Sequence, residues 1–191
     1  MLKPGTARRA IARTAATVAL VGGTALTGTS TAHAASNPFA WYMGYSYTFA
    51  SWYDQGCLDD SDAYGLRSYP CNTPSIENGY QKWKVINWSS GYAQLQNQAT
   101  GRCLDWSPGA GLRTFPCYAD SFTGGWQEWK WVNRTTADGR QEEVLQNGRW
   151  QDGEAWQCLD DSAYGVRGYP CNGPSQDNGY QGWNISNSTW A

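Results

Sequence analysis

The chain has 191 residues, a single histidine and six cysteines, and its 12 tryptophans and 12 tyrosines make it rich in aromatic side chains. After residue 34, 10 basic and 16 acidic residues give a net charge of −6, and an acidic surface without a basic stripe argues against nucleic acid as the partner. Because the only histidine is His33, the rest of the chain also lacks the usual general base, the Ser-His and Cys-His catalytic pairs and the commonest zinc ligand.

The first 34 residues have the pattern of a secretory signal peptide. Four basic residues lie within the first 13 positions, a stretch of small and apolar residues follows, and residues 32–34 form an A-x-A cleavage site. Gly, Thr and Ser interrupt this stretch, whereas a membrane anchor needs about 20 continuous apolar residues. The sequence therefore predicts a secreted, extracellular domain over residues 35–191, without membrane insertion. Such a domain folds in an oxidising compartment, in which disulfides form.

Three copies of one motif fill the predicted domain. The first reads CLDDSDAYGLRSYPCN from Cys57, the second CLDWSPGAGLRTFPCY from Cys103 and the third CLDDSAYGVRGYPCN from Cys158, and each is followed by Gln-x-Trp. The first cysteines are 46 and then 55 residues apart, and we interpret the extra segment GRWQDGEAWQ as a loop insertion. The copies cover residues of about 40–87, 88–137 and 138–191.

The segments between the motif residues favour short β-strands. YAQLQN alternates polar and apolar side chains, GLRSYPC and QKWKVINW are strand-like, and no window after the leader shows a convincing helical period. Each copy supplies about four strands and cannot bury its apolar face alone, so three copies should close around a pseudo-threefold axis into a barrel. The Gln-x-Trp residues are the natural filling of that barrel.

The repeat also selects a cysteine pairing. If the three copies fold alike, each closes its own loop, and zinc sites are disfavoured because the cysteines do not have C-x₂₋₄-C spacing. We therefore expect no metal, no cofactor and three disulfides: Cys57–Cys71, Cys103–Cys117 and Cys158–Cys171.

The threefold combination of Cys-Leu-Asp, an aromatic residue near the second cysteine and Gln-x-Trp resembles the ricin-B-type β-trefoil lectins, over residues of about 47–183. Within that family, the run from the aspartate through Pro-x-Asn to Tyr-Gln-x-Trp is most similar to actinohivin-type lectins of actinomycetes, which bind mannose-rich glycans. The resemblance implies an all-β β-trefoil, no enzyme activity, and a monomer that binds glycans or polysaccharide in two or three shallow pockets.

The resemblance assigns candidate sugar-binding residues. A carboxylate accepts two hydroxyl hydrogen bonds, and an aromatic ring covers the C–H face of a pyranose. The Cys-Leu-Asp aspartates Asp59, Asp105 and Asp160 are the expected acceptors, although such residues also brace turns. In the first and third copies the other expected ligands are Asn72 and Asn172, Tyr80 and Tyr180, and Tyr69 and Tyr169, the last pair with packing as an equal alternative.

The second copy departs most from this set. Tyr118 replaces the asparagine, Phe115 replaces the tyrosine and Trp126 takes the place before the glutamine, so its pocket is expected to be weak, differently selective or empty. In all three copies an arginine stands where the actinohivin-type lectins have tyrosine, which leaves mannose specificity open: Arg67, Arg113 and Arg167.

Other functions stay open on the residues alone. A glycoside hydrolase needs two carboxylates about 5 to 10 Å apart, but Asp59-Asp60 and its third-copy counterpart are adjacent and point to opposite faces of a strand. The chain could also be the accessory polysaccharide-binding domain of such an enzyme. A β-trefoil protease inhibitor would act from one exposed loop, for which GRWQDGEAWQ is the candidate. A calcium loop over residues 59–65 lacks the bidentate glutamate of an EF-hand.

Overall fold

The computed structural model describes residues 41–149 and 155–187, and these contain twelve strands and three five-residue helices. The strands are β1 (Ser46–Ser51), β2 (Gly56–Ser61), β3 (Gly65–Pro70), β4 (Trp83–Ser89), β5 (Tyr92–Asn97), β6 (Arg102–Ser107), β7 (Gly111–Pro116), β8 (Trp129–Thr135), β9 (Gln141–Asn147), β10 (Gln157–Ser162), β11 (Gly165–Pro170) and β12 (Trp183–Asn187). The helices are α1 (Thr73–Glu77), α2 (Ala119–Thr123) and α3 (Gly173–Asp177), and no helix within the described ranges is long and apolar enough to cross a membrane.

The predicted leader, residues 1–34, and half of the predicted loop insertion, residues 150–154, lie outside the described residues. The signal peptide and the domain limits at 35 and 191 therefore stay predictions.

Six strands close a barrel, and the other six form three hairpins. The barrel runs β1, β4, β5, β8, β9, β12 and back to β1, with every neighbouring pair antiparallel. The hairpins are β2–β3, β6–β7 and β10–β11, one from each copy of the motif. Each copy thus supplies four strands, and the arrangement confirms the predicted all-β β-trefoil.

The register of the hairpins sets one motif residue opposite another. Asp59 pairs with Arg67 across β2–β3, and Asp160 pairs with Arg167 across β10–β11. The third copy is one residue shorter, but the missing residue belongs to the turn, so Ser61–Gly65 and Ser162–Gly165 close equivalent hairpins. A motif aspartate and a motif arginine therefore meet on the same face in every copy, because directly opposed side chains share a face.

The barrel core is built from the tryptophans of the three Gln-x-Trp triplets. Trp83, Trp129 and Trp183 are fully buried, as predicted. Each indole Nε1 donates to the backbone carbonyl of the leucine of its own Cys-Leu-Asp, at 2.9, 2.9 and 3.1 Å. Burial of these rings supplies apolar area, and the hydrogen bonds pair the N–H groups of these three indoles.

The three predicted disulfides are all present, one in each copy. Their Cα–Cα distances are 4.9, 5.1 and 5.0 Å, within the usual range, and the sequence separations are 14, 14 and 13.

Loss of any one disulfide should cost a similar amount of stability. Because the closed loops are nearly equal in length, replacing both cysteines of one pair by alanine should lower the free energy of unfolding by about 3 kcal/mol in each copy. Urea unfolding of the three double variants without reductant would measure this. A cost confined to one copy would contradict the chain-entropy explanation.

Candidate functional site

The first copy carries a cavity of about 440 Å³ above the β2–β3 hairpin. Its wall combines exposed tyrosines with an arginine, while Asp59 forms part of the floor. The second copy closes one side with the residues just before β6, so the cavity forms only when neighbouring copies pack together. We call it the first pocket, and its main lining residues are Tyr64, Arg67, Tyr69, Tyr80 and Thr100.

Arg67 occupies the centre of the first pocket. Its guanidinium carbon lies 4.4 Å from the ring centroid of Tyr64 and 4.2 Å from that of Tyr69, so both rings stack against the cation. Its Nε donates to Oδ1 of Asp59 at 3.1 Å. The two rings and the carboxylate hold the guanidinium in one orientation.

The third copy repeats this arrangement, and we call its site the third pocket. Nε of Arg167 donates to Oδ1 of Asp160 at 2.9 Å, and the guanidinium carbon lies 5.0 Å from the ring of Tyr164 and 4.3 Å from that of Tyr169. The ring centroid of Tyr180 lies 5.0 Å from that of Tyr53, which belongs to the first copy. The first and third copies therefore present the same central arginine against two equivalent tyrosine rings and a buried aspartate, although the neighbouring copy contributes different residues.

The second copy keeps the ion pair but not the pair of tyrosines. Nε of Arg113 donates to Oδ1 of Asp105 at 2.9 Å, and its guanidinium carbon lies 4.1 Å from the ring of Phe115. Ala110 precedes the hairpin glycine where the other copies have tyrosine. Trp126 is exposed, its ring centroid lies 5.7 Å from the guanidinium carbon of Arg149, and its role as a sugar ligand stays a prediction. This site has an arginine stacked by one motif ring, and a weak, differently selective or empty pocket in this copy stays a prediction.

The three motif aspartates lie beneath their arginines. Only 2, 1 and 0% of Asp59, Asp105 and Asp160 is exposed. Burial raises the pKa of Asp59, and the hydrogen bond from Arg67 partly offsets this effect. A ligand that enters these sites meets the arginine and the aromatic rings first, so direct acceptance of sugar hydroxyls by the aspartates, which stays a prediction, would require the arginine to move aside.

The two motif asparagines cap helices that the sequence pattern did not show. Oδ1 of Asn72 accepts from the backbone N–H of Ser75, and Oδ1 of Asn172 accepts from that of Ser175, both at 2.9 Å. Helices α1 and α3 are one turn long, too short to produce a 3.6-residue period. Asparagine is a preferred N-cap residue, so its repetition has a structural reason, and its role as a sugar ligand stays a prediction.

Two pocket residues were missed by the sequence analysis. Tyr64 and Tyr164 are 72 and 82% exposed, and each lies against the central arginine. Their signal was Ala-Tyr-Gly, which occurs in the first and third copies and is absent from the second. Arg67 and Arg167 were noted only as departures from the family pattern, although both lie at the centre of their pockets.

Comparison with known proteins supports the fold. No protein-family model and no curated protein sequence matches this chain. The β-trefoil protein BEL has a TM-score of 0.57 at 10% identity, with 78% of this chain and 97% of that chain covered. The ricin B-like lectin of Macrolepiota procera, solved in complex with lactose, has a TM-score of 0.52 at 16% identity, with 76 and 97% covered.

Longer proteins contain the same fold. The GlcNAcα1-4Gal releasing endo-β-galactosidase from Clostridium perfringens has a TM-score of 0.55 at 15% identity, and 75% of this chain covers 32% of that one. Identities this low show a shared β-trefoil and nothing finer, so the actinohivin-type branch has no support beyond the motif resemblance.

Proposed function

We propose that this chain is a secreted, non-catalytic lectin that binds glycans or polysaccharide through the first and third pockets. The observation that carries the proposal is the repetition, in two copies, of an exposed tyrosine pair around an arginine whose Nε is bound by a buried carboxylate. The fold is shared with a ricin B-like lectin solved with lactose, which supports carbohydrate as the ligand class.

The chemistry of the pockets suits a pyranose. Tyrosine rings can cover the C–H face of the sugar, as Tyr69 and Tyr80 in the first pocket are exposed enough to do. The guanidinium of Arg67 offers donors to sugar oxygens, and Asp59 holds that guanidinium in place. Asn72 caps Ser75 at the pocket wall and donates from Nδ2 to the carbonyl of Pro70 at 2.7 Å, so among the described residues its side chain keeps one free N–H and one acceptor lone pair.

Repetition compensates for shallow pockets. A millimolar Kd corresponds to only about −4.1 kcal/mol per site. Two sites fixed on one rigid body raise the avidity for a branched or repeating glycan by ~10²–10⁴ when both can engage at once. The second copy is expected to add less, since Ala110 and Phe115 replace two tyrosines.

Binding should depend on the motif aspartates of the first and third copies. Asp59→Ala or Asp160→Ala removes the charge-assisted hydrogen bond that holds the arginine of its own pocket. Each substitution should therefore weaken sugar binding at that pocket by about tenfold or more. The double variant should nearly abolish avidity, whereas Asp105→Ala should have a smaller effect. Calorimetric titration with one oligosaccharide found on a broad glycan array would count the active sites.

The control is Asp120→Ala, which removes an exposed carboxylate of α2 outside the first and third pockets. Thermal unfolding must show that every variant is folded. If Asp105→Ala proved the most damaging, or if the folded protein bound no glycan on the array, the proposed sites or the lectin function would be wrong.

A second candidate is the polysaccharide-binding domain of a larger glycosidase, since this fold forms 32% of the endo-β-galactosidase chain. A sugar-release assay on this chain distinguishes it from a hydrolase, because a binding domain should show no turnover.

A further inference from the structure

We propose that the first and third pockets select sugars that carry a carboxylate, such as the uronic acid residues of acidic polysaccharides. In this assignment Arg67 and Arg167 bind the two carboxylate oxygens with their terminal Nη atoms. The inference rests on the proposed lectin function and adds the class of sugar that its pockets recognise.

The pocket arginines keep their terminal nitrogens available. Within residues 41–149 and 155–187, the only hydrogen bond or ion pair formed by the side chain of Arg67 or Arg167 is the Nε contact with its aspartate. Their side chains are 31 and 34% exposed, so solvent or a ligand can reach them. Each pocket therefore offers an unused pair of Nη groups.

Arg102 shows how a structural arginine of this protein differs. Its Nε and Nη2 both donate to Asp60, at 3.1 and 2.9 Å, Nη2 also donates to a backbone carbonyl, and Nη1 lies 3.4 Å from Asp62. All three nitrogens of Arg102 thus have protein partners. Burial alone does not explain the contrast, because the side chain of Arg102 is 30% exposed, about as much as Arg67.

The surroundings direct a ligand to the edge of the guanidinium. In the first pocket the rings of Tyr64 and Tyr69 lie 4.4 and 4.2 Å from the guanidinium carbon, and Asp59 occupies Nε. What remains is the end with two parallel N–H groups. A carboxylate matches this fork with two hydrogen bonds, which are roughly twice as strong as bonds between neutral groups. A neutral hydroxyl uses the same donors less well.

The net charge of the domain makes the inference testable. With 10 basic against 16 acidic residues after position 34, the chain has no general attraction for polyanions. Binding that requires a ligand carboxylate would therefore indicate a specific binding site and not a general electrostatic attraction.

The first test uses the unmodified protein. Polygalacturonate, alginate and hyaluronan are immobilised beside carboxyl-reduced forms of the same polymers, with dextran and dextran sulfate as a further pair. We expect binding to the carboxylated forms to be about tenfold or more tighter than to the reduced forms. Equal binding to both forms would overturn the inference and leave the lectin function standing. A preference for dextran sulfate alone would overturn the carboxylate assignment, and failure to bind any glycan would refute the lectin function itself.

The second test changes the fork while keeping its charge. The double variant Arg67→Lys with Arg167→Lys replaces two planar forks by point charges and should lose about tenfold or more in affinity for the best carboxylated polymer. Lys130→Gln, on the outside of β8, is the control that lowers the net charge without touching a pocket. If the folded lysine variant kept full, carboxylate-dependent binding, the two arginines would be excluded as the groups that recognise the ligand carboxylate.

Discussion

Replacing Trp83 by alanine is expected to lower the free energy of unfolding by about 3–5 kcal/mol, a large part of the stability of a small domain. The indole is fully buried, its ring centroid lies 6.5 Å from that of Phe49, and its Nε1 donates to the carbonyl of Leu58 at 2.9 Å. Alanine would leave a cavity in the barrel and an unpaired carbonyl. Urea unfolding followed by circular dichroism measures the effect.

Two other substitutions serve as controls. Trp88 lies on the same strand, β4, but is 52% exposed, so Trp88→Ala should change stability by less than about 0.5 kcal/mol. Trp83→Phe keeps most of the ring and loses the indole hydrogen bond, so it should fall between the two. Equal costs at positions 83 and 88 would refute the assignment of Trp83 to the core.

Replacing the second aspartate of the motif by asparagine should lower the free energy of unfolding in the first copy and raise it in the third. Asp60 is buried and accepts from Thr100 at 2.6 Å, from Arg102 at 2.9 Å and from Thr114 at 3.0 Å. Asp60→Asn breaks this ion pair between copies and leaves Arg102 with only the exposed carboxylate of Asp62 as an ionic partner. We expect a loss of about 2–4 kcal/mol at pH 8.

Asp161→Asn should instead stabilise the protein at pH 8. Burial, together with the carboxylate of Asp54, raises the pKa of Asp161 to about 6, and Gly56 takes the place that Arg102 has in the second copy. The folded protein therefore binds this proton more tightly than the unfolded chain does. Its contribution to stability is complete below about pH 4 and is lost as the pH rises through about 6, so the variant should gain about 1–3 kcal/mol at pH 8.

Urea unfolding of the parent and both variants at pH 4.5, 6 and 8 would test the pair. Burial also raises the pKa of Glu142, to about 7, but this residue is common to all three proteins, so its effect cancels in the differences. The gain from Asp161→Asn should shrink towards pH 4.5. Shifts of the same sign for both variants at pH 8 would contradict the different partners assigned to the two aspartates.

Features that depend on local pattern and on repetition could be predicted from the sequence. Three copies with alternating apolar residues are enough to predict short strands, a closed barrel and a tryptophan from each Gln-x-Trp in the core. The same repetition reduces the cysteine pairings to one. Strand periodicity and loop length are properties of neighbouring residues, so they can be read without knowing how the copies pack.

The role of each repeated polar residue depends on how the three copies pack together, which the motif does not show. Asp59 lies under Arg67 because the hairpin register places them opposite each other. Asp60 and Asp161 occupy equivalent positions in their copies. The partner of Asp60 is Arg102, 42 positions later in the chain, whereas Asp161 faces Asp54 of the first copy. Closure of the barrel brings these residues together. The free energy of a buried charged group depends on its neighbours in space, and a repeated motif does not specify those neighbours.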